Sequence, residues 1–148
     1  MGAATKLTIE ATHLVRDACL CLHVQRAARA LARRFDDALR PVGLTHGQFS
    51  LMMTLNREKP ARMAAVASLL AMDRTTLTAA LKPLQRRGMV KVAPDPDDRR
   101  GRLMTLTGKG RRALVRAVPV WKKTHATVEA LLGDGDPDRL RSNLHALC

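Results

Sequence analysis

Residues 73–107 read DRTTLTAALKPLQRRGMVKVAPDPDDRRGRLMTLT, and their hydrophobic period changes partway along. In the first half, apolar side chains recur at Leu77, Leu81 and Leu84, a spacing that makes one edge of a helix. Asp73 stands where an N-cap is wanted, and Gly88 where a helix closes on a left-handed residue. Pro83 lies inside and predicts a kink or a disturbed last turn. After Gly88 come two short runs, MVKVA and LMTLT, which read as strands. Between them PDPDDRRGR, residues 94–102, reads as the long tip of a hairpin. Three aspartates and three arginines share that tip. A solvated turn has no need of three arginines, whereas a loop that reaches into something anionic does. The aspartates are expected to cap the turn and to pin an arginine by a charge-assisted bond. The remaining guanidiniums then face outward.

Upstream, residues 10–40 contain neither Gly nor Pro and are rich in Ala, Leu and Arg, which predicts one long helix. Leu14, Ala18, Cys21, Ala28, Leu31, Phe35 and Ala38 trace its apolar stripe. Thr45 with Gln48 three residues on predicts a capping box and a second helix carrying Phe49, Met52 and Met53. Pro60 breaks the chain, and ARMAAVASLLA predicts a short third helix with Met63, Val66 and Leu70 inward. Downstream, Thr107 is expected to cap a long helix to about Leu132, bent at Pro119. Asp136 and Pro137 then start a last helix with Leu140, Leu144 and Leu147 on one face.

The order helix, turn, helix, hairpin is a winged helix-turn-helix. A helix fits the DNA major groove and presents its N-terminal residues to base edges and phosphates. Here those residues are Arg74, Thr75, Thr76 and Thr78, with Lys82 a turn further on. The hairpin becomes a wing whose Arg99, Arg100 and Arg102 reach the adjacent minor groove, where the potential is most negative. The bulk numbers agree. Lys and Arg outnumber Asp and Glu by 26 to 13, so the 148-residue chain carries +13 and calls for a polyanionic partner. Phe35, Phe49 and Trp121 are the only aromatics, so the core must be Leu, Val, Ala and Met, and base-stacking RNA recognition is disfavoured.

MDRTTLTAALKPLQRRGMV followed by DPDDRRGRLMTLTGKGRRAL resembles the recognition helix and wing of the MarR family of bacterial transcription regulators. The resemblance runs over nearly the whole chain, and its most specific element is Asp98-Arg99-Arg100 followed by a strand ending Leu106-Thr107. It implies a mainly α fold with a small β-hairpin wing, a single domain over 1–148. Residues 45–107 would form the DNA-binding lobe, and residues 8–40 and 108–148 a helical dimerisation region. It also implies a homodimer that reads a pseudo-palindromic double-stranded operator. Repression would be relieved by a small-molecule effector or, in some branches, by thiol oxidation. Family members often carry an arginine or polar residue where this chain has Ala79. The peroxide-sensing branch places a reactive cysteine eight residues before an arginine, as Cys21 and Arg29 stand here, but its supporting tyrosines are missing from a chain that has none.

The effector expected is an aromatic or amphipathic acid, in the crevice that the family resemblance implies between the dimer helices and the winged lobe, drawn from Cys21, His23, Phe49, Met52 and Met53. Cys21 and Cys19 are the candidate redox residues. Cys21 faces Asp17, whose charge opposes a thiolate, whereas Cys19 has Arg16 and His23 a turn away. On one continuous helix the two thiols would sit about 200° apart and could not bond to each other. His13, Asp17 and Cys21 share a helical face, yet such sets are common by chance, and no metal site or cofactor is expected. No glycine-rich phosphate loop and no interpretable Ser, His and Asp set is present, so no enzyme is read here. A nonspecific architectural DNA-binding protein is the remaining alternative. Three unmatched cysteines suit a reducing cytoplasm. The opening MGAATKLTIEATH lacks an apolar leader core, and Lys6 occupies the place where an acylation motif after Gly2 wants Ser or Thr. No apolar run reaches membrane-spanning length, and no basic amphipathic helix carries bulky anchors, so no membrane role is expected.

Overall fold

A computed structural model describes residues 7–148; Gly2 and Lys6 lie outside the described residues. Among the described residues, seven α-helices and a three-stranded sheet follow one another in the order α1 (Ile9–Ala18), α2 (Leu20–Leu39), α3 (His46–Thr54), β1 (Ala61–Arg62), α4 (Met63–Leu69), α5 (Arg74–Arg86), β2 (Val90–Asp95), β3 (Asp98–Leu106), α6 (Gly108–Ala130) and α7 (Pro137–His145), with a short 3-10 turn, Arg40–Val42, between α2 and α3. The mainly α architecture with a small β wing is the one expected. No helix among the described residues is long and apolar enough to cross a membrane.

Most helix starts are written in their caps. Thr45 and Gln48 form the reciprocal capping box at α3. Asp73 accepts from the Thr76 amide at 2.7 Å at the start of α5. Thr107 accepts from the Gly110 amide at α6, and Asp136 with Pro137 opens α7. Gly88 ends the α5 segment with φ +68°. Helices α5 and α6 run on through Pro83 and Pro119 respectively.

Three expectations are corrected. The single helix over residues 10–40 is two, because Cys19 is extended (φ −73°, ψ 106°). Its backbone N–H still closes α1 onto the Val15 carbonyl, while its sulfur accepts from the Leu22 amide at 3.5 Å. One residue therefore serves as C-cap of α1 and N-cap of α2 without a glycine or proline to mark it. Next, the hairpin has no long tip. Its strands pair antiparallel from Val90↔Leu106 to Pro94↔Arg102, and after a register shift Asp95↔Asp98 closes the ladder. The turn is tight because Asp95 Oδ1 accepts from the Asp97 amide and Asp98 Oδ1 from the Arg100 amide. Arg99, Arg100 and Arg102 thus stand on β3. Finally, the third helix begins only at Met63. Ala61 and Arg62 form a third strand, paired with Met104 and Leu103, which leaves β3 central in the order β1-β3-β2.

The core lies entirely between Leu39 and Ala117, with Leu51, Met52, Leu77, Leu84 and Met104 almost wholly buried. α6 enters it at close range. A Cβ on Gly110 would lie 2.3 Å from the Met89 carbonyl, so a glycine is what lets α6 start against β2. By contrast α1 and α7 bury no residue. Leu14 and Val15 on α1, Leu20 on α2, Leu144 on α7, and Leu131 and Leu147 just beyond α6 and α7 stand exposed.

Candidate DNA interface

Helices α4 and α5 are joined by a turn through Ala71, whose φ of +50° costs an L residue roughly 1–2 kcal/mol. The turn is held by the Met72 amide on the Ala67 carbonyl at 2.8 Å. It delivers the capped start of α5 to the surface, while Leu77, Leu81 and Leu84 hold the opposite edge in the core. Thr76 donates its hydroxyl and its amide to Asp73, which holds that carboxyl below its ordinary range.

Arg74, Thr75, Thr78 and Lys82 surround Ala79 and line one shallow concavity of about 340 Å³. Thr76 belongs to the cap instead. The Thr78 hydroxyl donates to the Arg74 carbonyl at 2.7 Å, so its free capacity is as an acceptor. Ala79 lines the same concavity.

On the wing, Arg100 and Arg102 share the face of β3 that holds buried Met104, and Arg99 lies on the other. Both line a cavity of about 300 Å³ between wing, α4 and α5, together with Arg62 and Arg74. The Arg74 guanidinium crosses it to the Arg100 carbonyl at 2.7 Å. None of the three wing arginines is pinned by an aspartate as expected. Arg62 of β1 takes that place, 3.3 Å from Asp95 and 3.8 Å from Asp97. Arg87 donates to the Gly43 carbonyl at 2.7 Å and ties the end of α5 to the turn before α3. Arg62 was not singled out in the sequence, since it acts through partners distant along the chain.

The five residues considered for an effector crevice do not line one cavity. Phe49 and Met52 are core. Met53 borders an α3–α6 groove of about 410 Å³ with Leu114, Val115 and Val118, closed at one side by Arg111, which donates to Asn56 at 2.7 Å. His23 lines a separate open concavity on α2 with Arg26, Arg29 and Arg33. Cys21 is exposed and accepts from Gln25 Nε2 at 3.1 Å, and Gln25 accepts from Arg29 at 2.9 Å. Asp17 is paired with Arg16, on the far side of the break. The continuous face assumed for His13, Asp17 and Cys21 therefore does not exist, nor does the fixed 200° between Cys19 and Cys21. His23 bonds the Cys19 carbonyl, not its thiol.

A family model described as MarR family matches residues 44–101. Over 131 residues the chain is 32% identical to the transcriptional activatory protein BadR of Rhodopseudomonas palustris, across 86% of this chain and 74% of that protein. It is similar to the M. tuberculosis transcriptional regulator MosR in complex with DNA, with a TM-score of 0.79 and 40% identity over 87% of this chain and 92% of that one. The transcriptional repressor CouR bound to a 23-mer DNA duplex gives 0.77 and 28%, over 97% and 99%. With a capped recognition helix, an arginine-bearing wing and these relatives, the chain belongs to the MarR family of DNA-binding transcription regulators, which are not enzymes.

Proposed function

We propose that the protein is a cytoplasmic homodimer that binds a double-stranded inverted repeat and represses transcription until a small aromatic or amphipathic acid releases it. The observation that carries this reading is where the exposed apolar side chains fall. They crowd onto residues 8–40 and 108–148, whereas the lobe of residues 45–107 exposes only Met53 and Leu69 of that kind. A second copy supplies the missing cover. Two-fold symmetry then sets two copies of α5 into successive major grooves, with half-sites about one helical turn apart.

In each lobe Arg74, Thr75, Thr78 and Lys82 meet base edges and phosphates, with Thr76 holding the helix start. Arg99, Arg100 and Arg102 reach the neighbouring minor groove. The α3–α6 groove supports the effector reading: its walls are apolar, Arg111 offers one guanidinium to a carboxylate, and Met53 lies in it. It also sits where a helix of the dimerisation region meets the lobe, so a ligand that favours one lobe angle shifts the half-site separation.

The test is sedimentation together with an operator titration. A stable folded monomer, or equal affinity for random DNA, overturns the reading, and the latter favours a nonspecific architectural role. Arg100→Ala should weaken all sites and flatten the salt dependence by about one phosphate contact. A reporter under the operator should rise when the protein is absent; a fall would make it an activator.

A thiol switch at Cys21 or Cys19 is the second reading. It is favoured by the amide donated to Cys21 from Gln25, itself held by Arg29, and by the helix break at Cys19. If stoichiometric organic hydroperoxide releases the wild type while Cys21→Ser or Cys19→Ser stays bound, this reading replaces the ligand switch.

A further inference from the structure

Two local rules are broken at opposite ends of one contact. Arg62 is the N-cap of α4, with no side-chain hydrogen bond to the helix, and no acid stands in the first turn. Ser, Thr, Asp or Asn is preferred there, and a cation opposes the positive end of the helix dipole. Across from it, Asp95 is the buried charged residue of the described structure, its side chain 3% exposed. Buried carboxylates are retained where they are paired and hydrogen-bonded. Asp95 meets both needs: Oδ2 lies 3.3 Å from Arg62 Nε, and Oδ1 accepts from the Asp97 amide at 2.9 Å. The neighbouring chain is shaped to this contact as well. A Cβ on Gly101 would lie 3.0 Å from the Asp95 Cβ, a tight approach that glycine relieves.

The contact lies where the register of β2 and β3 shifts, between Pro94 and Asp95. It is thus at the distal end of the wing, whereas β1 pairs with β3 nearer the base, at Leu103 and Met104. A strut from Arg62 to the distal turn, added to pairing at the base, fixes the angle of the wing. Arg74 bonding the Arg100 carbonyl does the same from α5.

We propose that Arg62 and Asp95 are positioning residues of the DNA interface, setting the wing so that Arg99, Arg100 and Arg102 meet the duplex together with α5. This rests on the reading of the wing as a DNA contact given above. The pair touches no base, and its effect runs through the arginines it places.

Asp95→Asn and Arg62→Ser separate this role from plain charge and from plain stability. Removing an acid from a basic surface strengthens DNA binding on charge alone. The positioning role makes Asp95→Asn weaker instead, by roughly tenfold, the scale of one coupled contact. Serine is a better N-cap than arginine but leaves Asp95 buried without its partner, so Arg62→Ser is compared at a temperature where it is fully folded, and there it should weaken binding by a similar factor. The double variant should lose no more than either single one. Hydroxyl-radical footprints of both variants should lose protection under the wing and keep it under α5. Asp95→Asn binding as tightly as the wild type or more tightly overturns the proposal. So do additive losses in the double variant, which would make Arg62 a phosphate contact in its own right. Arg100→Ala, measured alongside, tells the two failures apart. If it too binds like the wild type, the wing reading itself has failed; if it weakens while Asp95→Asn does not, only the positioning role has. A variant that melts below the assay temperature is assayed again at lower temperature, where the same criteria hold.

Discussion

The guanidinium of Arg74, in the first turn of α5, donates to the backbone carbonyl of Arg100 on β3 at 2.7 Å. A side chain expected to face DNA therefore joins the recognition helix to the wing before DNA arrives. Arg74→Ala should speed amide hydrogen exchange across residues 98–102 in the free protein while α5 stays protected. Unchanged exchange would mean that the bond does not restrain the wing.

Thr75 and Thr76 are neighbours with different duties. Thr76 spends its hydroxyl on Asp73, whereas Thr75 lies in the exposed concavity with Arg74 and Lys82. Thr75→Val should alter the ranking of operators carrying single-base changes, and Thr76→Val should lower affinity while leaving the ranking alone. Competition binding over such a set decides between them; identical rankings for both would remove Thr75 from base readout.

The Asp73 cap makes the start of α5 acid-sensitive. Its carboxyl is lowered from an ordinary value of 3.8, chiefly by the Thr76 amide and then by the Thr76 hydroxyl. A group depressed in the folded state stabilises fully above its unfolded value and loses that contribution as pH falls through the folded one. Asp73→Asn keeps a capping side chain without the charge, so its melting temperature should approach that of the wild type below about pH 4. Asp36, lowered by the His46 amide, keeps a residual acid-sensitivity in both proteins. A constant difference across pH 3 to 7 would show that the charge at Asp73 contributes nothing.

Gly110 and Gly47 give a matched pair. Alanine at 110 meets the Met89 carbonyl, while a Cβ at 47 meets nothing within 4 Å. Gly110→Ala should destabilise by about 1–3 kcal/mol. Gly47→Ala, within α3, should stabilise by about 0.5–1 kcal/mol. Urea unfolding of both variants checks the sign of each.

What could be read in the sequence was what the chain decides locally. The caps at Thr45, Asp73, Thr107 and Asp136 each rest on a side chain bonding a backbone amide two or three residues on. The winged helix-turn-helix followed from their order. What was missed depends on partners distant in sequence or on backbone choice. Ala61 and Arg62 become a strand because β3 lies alongside, and nothing in PAR announces it. The cavity between wing and α5 needs Arg62, Arg74 and Arg100 brought together from three elements. The break at Cys19 has the weakest signal of all, since cysteine is a rare cap and the flanking residues favour helix. The five crevice residues were grouped from family geometry, and in one subunit two of them serve the core instead.

The stack of Phe49 on Trp121, with ring centroids 6.1 Å apart, gives the molecule an optical reporter of its own. Trp121 is the only tryptophan, and the chain has no tyrosine, so ultraviolet emission comes from a single indole. That indole is on α6, half-buried, with the His125 ring also stacked on it at 4.6 Å. Phe49 belongs to the lobe core, and α6 runs from that lobe into the terminal helical region. Sliding of α6 against α3 changes the stacking of that one ring, so its emission follows the seam between the two parts of the protein without a label.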